Sequence, residues 1–445
     1  MARKVFISFL GFSNYSEGIY YIDDFQAQSA RFIQAATLEY LQTKETWTAN
    51  DVAYILLTKG AEEKNWVDDG QVDRETKQII KQKGLNSVLI ARKYPFPIET
   101  VRNLPDGNNE EEVFTIFSRV FDVLREGDQL YFDVTHGFRS LPMLALVMTN
   151  YAKFLKNITV QSITYGNWEA RKKREDERFY APIIDLLPLS QIQDWTFAAA
   201  DFLKNGNADR FAELAEENRR AVCKMLKSAD PQATSLGNLG KALKDVSDDF
   251  LTCRGKDLLI PKHMATLRRR LEEIDNLVIQ PLEPVVNELS KAFEPFSVDT
   301  SDEQMLNGFL AAKWCIDHNL YQQAATILQE NVVTFFCKRH NITLETEATR
   351  KLVNNAFYYS LGKFFSDEER QQARVRIEES EVLQQLLSDP LLNDNDTTKA
   401  FSLLTHERND FNHSGMRPQP HSPKRIRGNI KKAFDILNKK LNPHA

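Results

Sequence analysis

Along the first 190 or so residues, the hydrophobic positions fall in short runs separated by stretches of helical period. Val5–Leu10, Val52–Thr58, Ser87–Ala91 and Leu130–Val134 are apolar and rich in β-branched or aromatic side chains, and they read as strands. Gln28–Leu41, Asp73–Lys83 and Glu111–Arg125 lie between them and read as helices. Strands alternating with helices predict a mostly parallel sheet with crossover helices. Ile158–Tyr165 and Phe179–Leu186 flank the polar stretch GNWEARKKREDER and predict a closing hairpin. After Pro188 the period becomes helical almost everywhere, as in TFAAADFLKNGN and RFAELAEENRRAVCKML. Pro281, Pro284 and Pro295 punctuate a hinge between two helical parts. The expected division is an α/β domain over 1–188, a helical linker or insertion over 189–300, and an all-α domain over 301–445.

Composition narrows the class. At 445 residues the chain exceeds one ordinary core. Hydrophobic residues make up 42% and charged residues 27%, as in a soluble globular protein. No apolar run approaches the roughly 18 residues needed to span a membrane. The start, MARKVFISFLG, alternates like a strand and lacks a small-residue cleavage site, so it does not read as a signal peptide. Cys223, Cys253, Cys315 and Cys337 form no C-x-x-C pair, which argues against a zinc site or disulfide frame and fits a cytoplasmic protein. The net charge of −5 excludes a general nucleic-acid binder, so any anionic partner must be held by local basic patches.

In an open α/β sheet, ligands bind beyond the carboxyl ends of the strands. Three strands end there in small or polar residues: LGFSN with Gly11, Ser13 and Asn14; LTKG with Thr58, Lys59 and Gly60; and FDVTHGFRS. TYGN, with Gly166, ends the first hairpin strand. The glycines, Gly137 among them, let a ligand approach the backbone. Thr135, His136, Arg139 and Ser140 can donate to phosphate oxygens, aided by the N-terminus of the next helix. That points to a phosphorylated, nucleotide-like ligand. The plainer reading is that Asp133 and Thr135 cap a helix and His136 lies on the surface. Neither G-x-G-x-x-G nor G-x-x-x-x-G-K-[ST] is present, which argues against dinucleotide or ATP binding.

The second informative stretch is LLTHERNDFNHSGMRP, Leu403 to Pro418. Arg408 and His413 suit acid–base work on a phosphodiester: histidine can shuttle a proton, and arginine stays charged beside the crowded phosphate. Five residues on a helix are about 140° apart, so this pair does not share one face. Asn409 and His413 do share one. A single copy is a thin site, and two copies across a two-fold axis make a cleft. Taken alone, R-x-x-x-x-H also reads as a polar helix end.

Together the two motifs resemble a known family. DVTHG at Asp133–Gly137 resembles the D-x-T-H-G signature of CRISPR-associated proteins, and RNDFNH at Arg408–His413 resembles the R-x-x-x-x-H motif of HEPN ribonucleases. In this order they make the chain similar to CARF–HEPN proteins of type III CRISPR systems. The resemblance covers the sheet through Leu187 and the helical part from about Asp302, and leaves Ser190–Thr300 as linker or insertion. It implies a Rossmann-like CARF domain that binds cyclic oligoadenylate as an allosteric activator. It also implies a homodimeric HEPN domain that cuts single-stranded RNA without metal or other cofactor. On that reading His413 is acid or base, Arg408 stabilises the phosphorane and Asn409 orients the pair. His406, beside Glu407, is a candidate second proton carrier. The basic residues Lys424, Arg425, Arg427, Lys431 and Lys432 either steer RNA or form a solvated helix face. RKKRE at Arg171–Glu175 reads as an exposed hairpin tip. Two other functions stay open: a CARF sensor acting through a partner without cutting RNA, and a ring nuclease that degrades cyclic oligoadenylate.

Overall fold

The structure is a computed structural model, which describes residues 2–73, 75–137, 140–259, 262–274, 282–296, 304–343, 346–362, 366–416 and 418–442. The chain divides into two compact units, Met1–Gln191 and Ile192–Ala445.

The first unit is built on strands β1 (Lys4–Phe9), β2 (Ile19–Ile22), β3 (Phe25–Gln26), β4 (Val52–Thr58), β5 (Gln71–Val72), β6 (Ile79–Ile80), β7 (Ile98–Leu104), β8 (Gln129–Asp133), β9 (Thr159–Gly166), β10 (Lys172–Lys173) and β11 (Phe179–Asp185). Its helices are α1 (Ile33–Lys44), α2 (Lys59–Ala61), α3 (Leu85–Arg92), α4 (Glu110–Asp122) and α5 (Leu141–Lys156). The main sheet runs β3-β2-β11-β9-β8-β1-β4-β7, with β10 beside β11. Strands β9, β8, β1, β4 and β7 are parallel, and β11 closes antiparallel on β9 as the expected hairpin. Alternation along β1 explains the layering. Val5, Ile7 and Phe9 pack with Ile116 and Val120 of α4 and Leu144 and Met148 of α5. Phe6 and Leu10 point the other way, to Ala35 and Leu38 of α1 and Leu85 and Leu89 of α3. Each such side chain contributes roughly 1.5–3 kcal/mol when fully buried.

Two expected elements are corrected. Ser87–Ala91, read as a strand, lies within helix α3, which buries Leu85 and Leu89 one turn apart and exposes Ile90. The parallel strand is instead β7, IETVRNL, at the sheet edge, where Glu99 and Arg102 interrupt the apolar pattern. Asp73–Lys83, read as a helix, instead follows β5 and contains β6, the second strand of the β5–β6 hairpin. There Asp73 accepts from the backbone N–H groups of Glu75 and Thr76, and Lys77 takes a left-handed conformation at φ 58°.

Among the described residues, every regular element of the second unit is a helix. Segments 189–300 and 301–445, expected as separate parts, contribute to one core that runs from Trp195 to Leu441. The unit boundary falls within the Leu187–Asn205 helix. The Tyr321–Arg339 helix is central: Ala324, Leu328, Val332 and Phe336 are buried along it. It packs against the Gln304–Asp317, Asn395–Asn412 and Pro423–Leu441 helices. Among the described residues, no helix is long and apolar enough to cross a membrane.

Candidate functional site

Because β8, β1 and β4 are parallel neighbours, their carboxyl ends open at one edge of the sheet. Asp133, the last residue of β8, is fully buried there. It accepts from Ser8 Oγ at 2.6 Å, from the Thr135 backbone N–H at 3.1 Å and from the Thr135 hydroxyl. Burial pushes its carboxyl up to about 6, against the pull of those donors. Thr135 Oγ1 in turn accepts from the Gly166 N–H at 2.7 Å, tying the β8 turn to the end of β9. Thr135 therefore caps no helix, and its hydroxyl proton is engaged by Asp133.

His136 follows. Its ring lies on Tyr15, with centroids 4.4 Å apart. The residue as a whole is half-buried, yet its Nε2 is shut off from solvent and makes no hydrogen bond to any described residue. Burial holds its pKa down to about 4, so it is a neutral imidazole near pH 7 rather than a charged donor. Gly137 adopts φ 135°, and a Cβ there would sit 2.6 Å from Leu141, so only glycine fits the turn. A cavity of about 370 Å³ opens over this turn, lined by Val134, Thr135, His136, Gly137, Pro142, Tyr165 and Leu186. Tyr165 and Leu186 were not singled out from the sequence.

The other expected residues fall as follows. Gly11 abuts this turn: a Cβ on it would lie 3.5 Å from the His136 Cβ and collide with the Tyr15 hydroxyl. Ser13 and Asn14 are exposed. Thr58 is buried and caps α2, accepting from the Ala61 N–H at 3.3 Å. Lys59 is exposed, 3.9 Å from Glu63. Ser140 is exposed just ahead of α5. Arg139 lies outside the described residues. Asn65 went unread in the sequence. It is fully buried and donates to the carbonyls of Gly11 at 2.8 Å and Ser13 at 2.9 Å, while accepting from Gln71. It pins the loop after β1 from more than fifty positions away, a separation no local pattern reveals.

In the helical unit, Arg408, Asn409 and His413 lie at the C-terminal end of the Asn395–Asn412 helix. His413 is the residue at which the helix stops, its N–H still bonded to the Asn409 carbonyl at 3.1 Å. Asn409 and His413 are exposed, and Arg408 is half-buried. The Arg408 guanidinium lies 3.6 Å from Glu330 of the central helix, and among the described residues its buried Nε has no hydrogen-bond partner. Glu330 is also held by Arg350, through contacts of 3.2 and 2.6 Å. Sequence reading did not find Glu330, which sits 78 positions before Arg408. The arrangement leaves an imidazole and an amide facing solvent at one helix end, with a fixed cation on the neighbouring face.

Residues 5–169 match the family described as CRISPR system endoribonuclease Csx1, CARF domain. The N-terminal unit is a CARF domain of the CRISPR-associated kind. The chain is also 24% identical over 256 residues to CRISPR-associated protein MJ1674 of Methanocaldococcus jannaschii, covering 57% of this chain and 36% of the relative. The chain thus spans about a third of the length of that relative. The CARF match takes in the ends of β1, β4, β8 and β9, and so every residue lining the cavity except Leu186.

Proposed function

We propose that the chain is a cyclic-oligoadenylate-activated endoribonuclease of CRISPR defence that cleaves single-stranded RNA in its helical unit and uses no metal in the chemical step. One observation carries the reading. A chain whose N-terminal unit is a CRISPR-associated CARF domain also displays Asn409 and His413 at one helix end, beside an Arg408 guanidinium held by Glu330.

The CARF cavity suits a ring of phosphates with splayed bases. Its lining includes the backbone of Thr135–Gly137, the neutral imidazole of His136 and the aromatic surface of Tyr165. In the helical unit the substrate brings its own nucleophile. The ribose 2′-oxygen attacks the adjacent phosphorus as the bond to the 5′-oxygen breaks, leaving a 2′,3′-cyclic phosphate and a 5′-hydroxyl. His413 takes or returns the proton, Arg408 balances the charge on the equatorial oxygens and Asn409 orients the phosphate. One exposed histidine does only half of the acid–base work. A homodimer that brings two such helix ends together supplies the second.

The test is an RNA-cleavage assay with each cyclic oligoadenylate in turn, with EDTA present and absent. Cleavage that needs one messenger, proceeds in EDTA and stops when the cut position is 2′-deoxy supports the reading. Activity that is lost in EDTA and restored by magnesium would overturn the metal-free step. Messenger binding without cleavage under any condition would leave a sensor, and loss of the messenger itself would reveal a ring nuclease.

A further inference from the structure

We infer that His406, Glu407 and His421 form a zinc-class metal site that braces the end of the Asn395–Asn412 helix. One ligand atom from each of the three lies within 4.8 Å of the others. Two come from adjacent positions on that helix, and His421 comes from the connection to the Pro423–Leu441 helix. Glu407 is fully buried. Its Oε1 contacts His421 Nδ1 at 2.7 Å, accepts from Asn429 Nδ2 at 2.7 Å and lies 3.9 Å from His406 Nδ1. Its Oε2 is equally buried and accepts no hydrogen bond from any described residue.

A buried carboxylate with one unmet oxygen is costly unless a positive charge completes it. The side chains beside it are two imidazoles, their rings 4.8 Å apart and tilted by 40°. Two imidazole nitrogens and a carboxylate are ligands of zinc and its neighbours in the first transition row, and the set leaves one coordination position open. Magnesium and calcium are poorly served by two nitrogens. Asn429 already orients the carboxylate through its other oxygen, as outer partners of a metal ligand do. The ion would join the helix that carries Arg408 and His413 to the connection that follows it. Its role is structural, and the proposal does not depend on RNA cleavage.

The test uses the full chain, stripped with a chelator, equilibrated with one to two equivalents of zinc chloride and desalted. Elemental analysis should find one zinc per chain and no retained magnesium. Cobalt in place of zinc should give visible absorption bands of a four-coordinate site. Zinc should raise the melting temperature. Glu407→Gln, His421→Ala and the milder His406→Ala should each reduce retention at least tenfold and abolish the zinc-dependent part of the melting shift. Wild-type protein that retains no zinc overturns the site whether or not the variants fold, and so does unchanged retention in all three variants. Zinc retention is read without RNA, so its failure and the failure of the ribonuclease reading are told apart.

Discussion

The β8 turn and the end of the Asn395–Asn412 helix both carry a short signature, and they use it in opposite ways. In the turn, the polar signature residues face inward. Asp133 is fully buried, Thr135 links it to Gly166, and His136 is folded under Tyr15. What the turn offers a ligand is mainly backbone shape. In the helix the signature residues Asn409 and His413 face outward, and the buried polar groups are residues the motif does not specify, Glu407 and Asp410. A turn needs its polar side chains to hold an irregular backbone, whose N–H and C=O groups have few regular partners. A helix satisfies its own backbone and can present side chains for chemistry. Substitutions should therefore act on structure first in the turn and on activity first in the helix.

The largest expected effect is in the helix. Arg408→Ala or His413→Ala should lower RNA cleavage on the order of 100-fold or more, with messenger binding and melting temperature little changed. A variant that cuts at the wild-type rate would remove its residue from the site. Next comes Asn65→Ala, which strips two carbonyls of their donor and leaves Gln71 unpartnered. Loss of about 2 kcal/mol in denaturant unfolding is expected, together with weaker messenger binding. If only binding changes, the loop after β1 is not held in the way described. His136→Ala should be milder. A neutral imidazole contributes one ordinary contact, so the activating messenger concentration should rise several-fold to tenfold, with the same maximal cleavage rate. A hundredfold rise in an activation titration would mean that His136 is charged in the complex.

The smallest expected effect is a pH dependence that nearly cancels. The Asp133 carboxyl stands at about 6 in the fold, above its ordinary 3.8, so the folded protein keeps a proton that the unfolded chain releases. Its contribution falls as pH rises from about 4 to about 6. His136 stands at about 4, below its ordinary 6.5. Its contribution is complete above about 6.5 and is lost as pH falls toward 4. Asp133→Asn should make stability rise more steeply with pH across this window than in the wild type, and His136→Gln should make it fall. Parallel stability–pH curves for wild type and Asp133→Asn would show that the carboxyl titrates normally.

The expected magnesium independence also bears on the comparison. Should EDTA lower cleavage and zinc alone restore it, the brace at Glu407 is involved; restoration by magnesium would place a metal in the chemistry itself.

By itself, the sequence determined β1, β4 and β8, the hairpin that closes the sheet, the helical second half and both signatures, but not β2. Those features are written in local period and spacing, because burial on one face leaves a local trace. It could not place α3 or β7: SVLIA and IETVRNL carry a strand-like and a charged pattern, and only their positions beside and at the edge of the sheet decide which is strand. Nor could it show that the Asp133 carboxyl binds Ser8, 125 positions away, or that Asn65 holds the loop after β1. Glu330 reaching Arg408 and His421 reaching Glu407 were equally out of its range. These partners meet only when separate elements pack, and a hydrogen bond or ion pair between distant residues leaves no period in the chain to read.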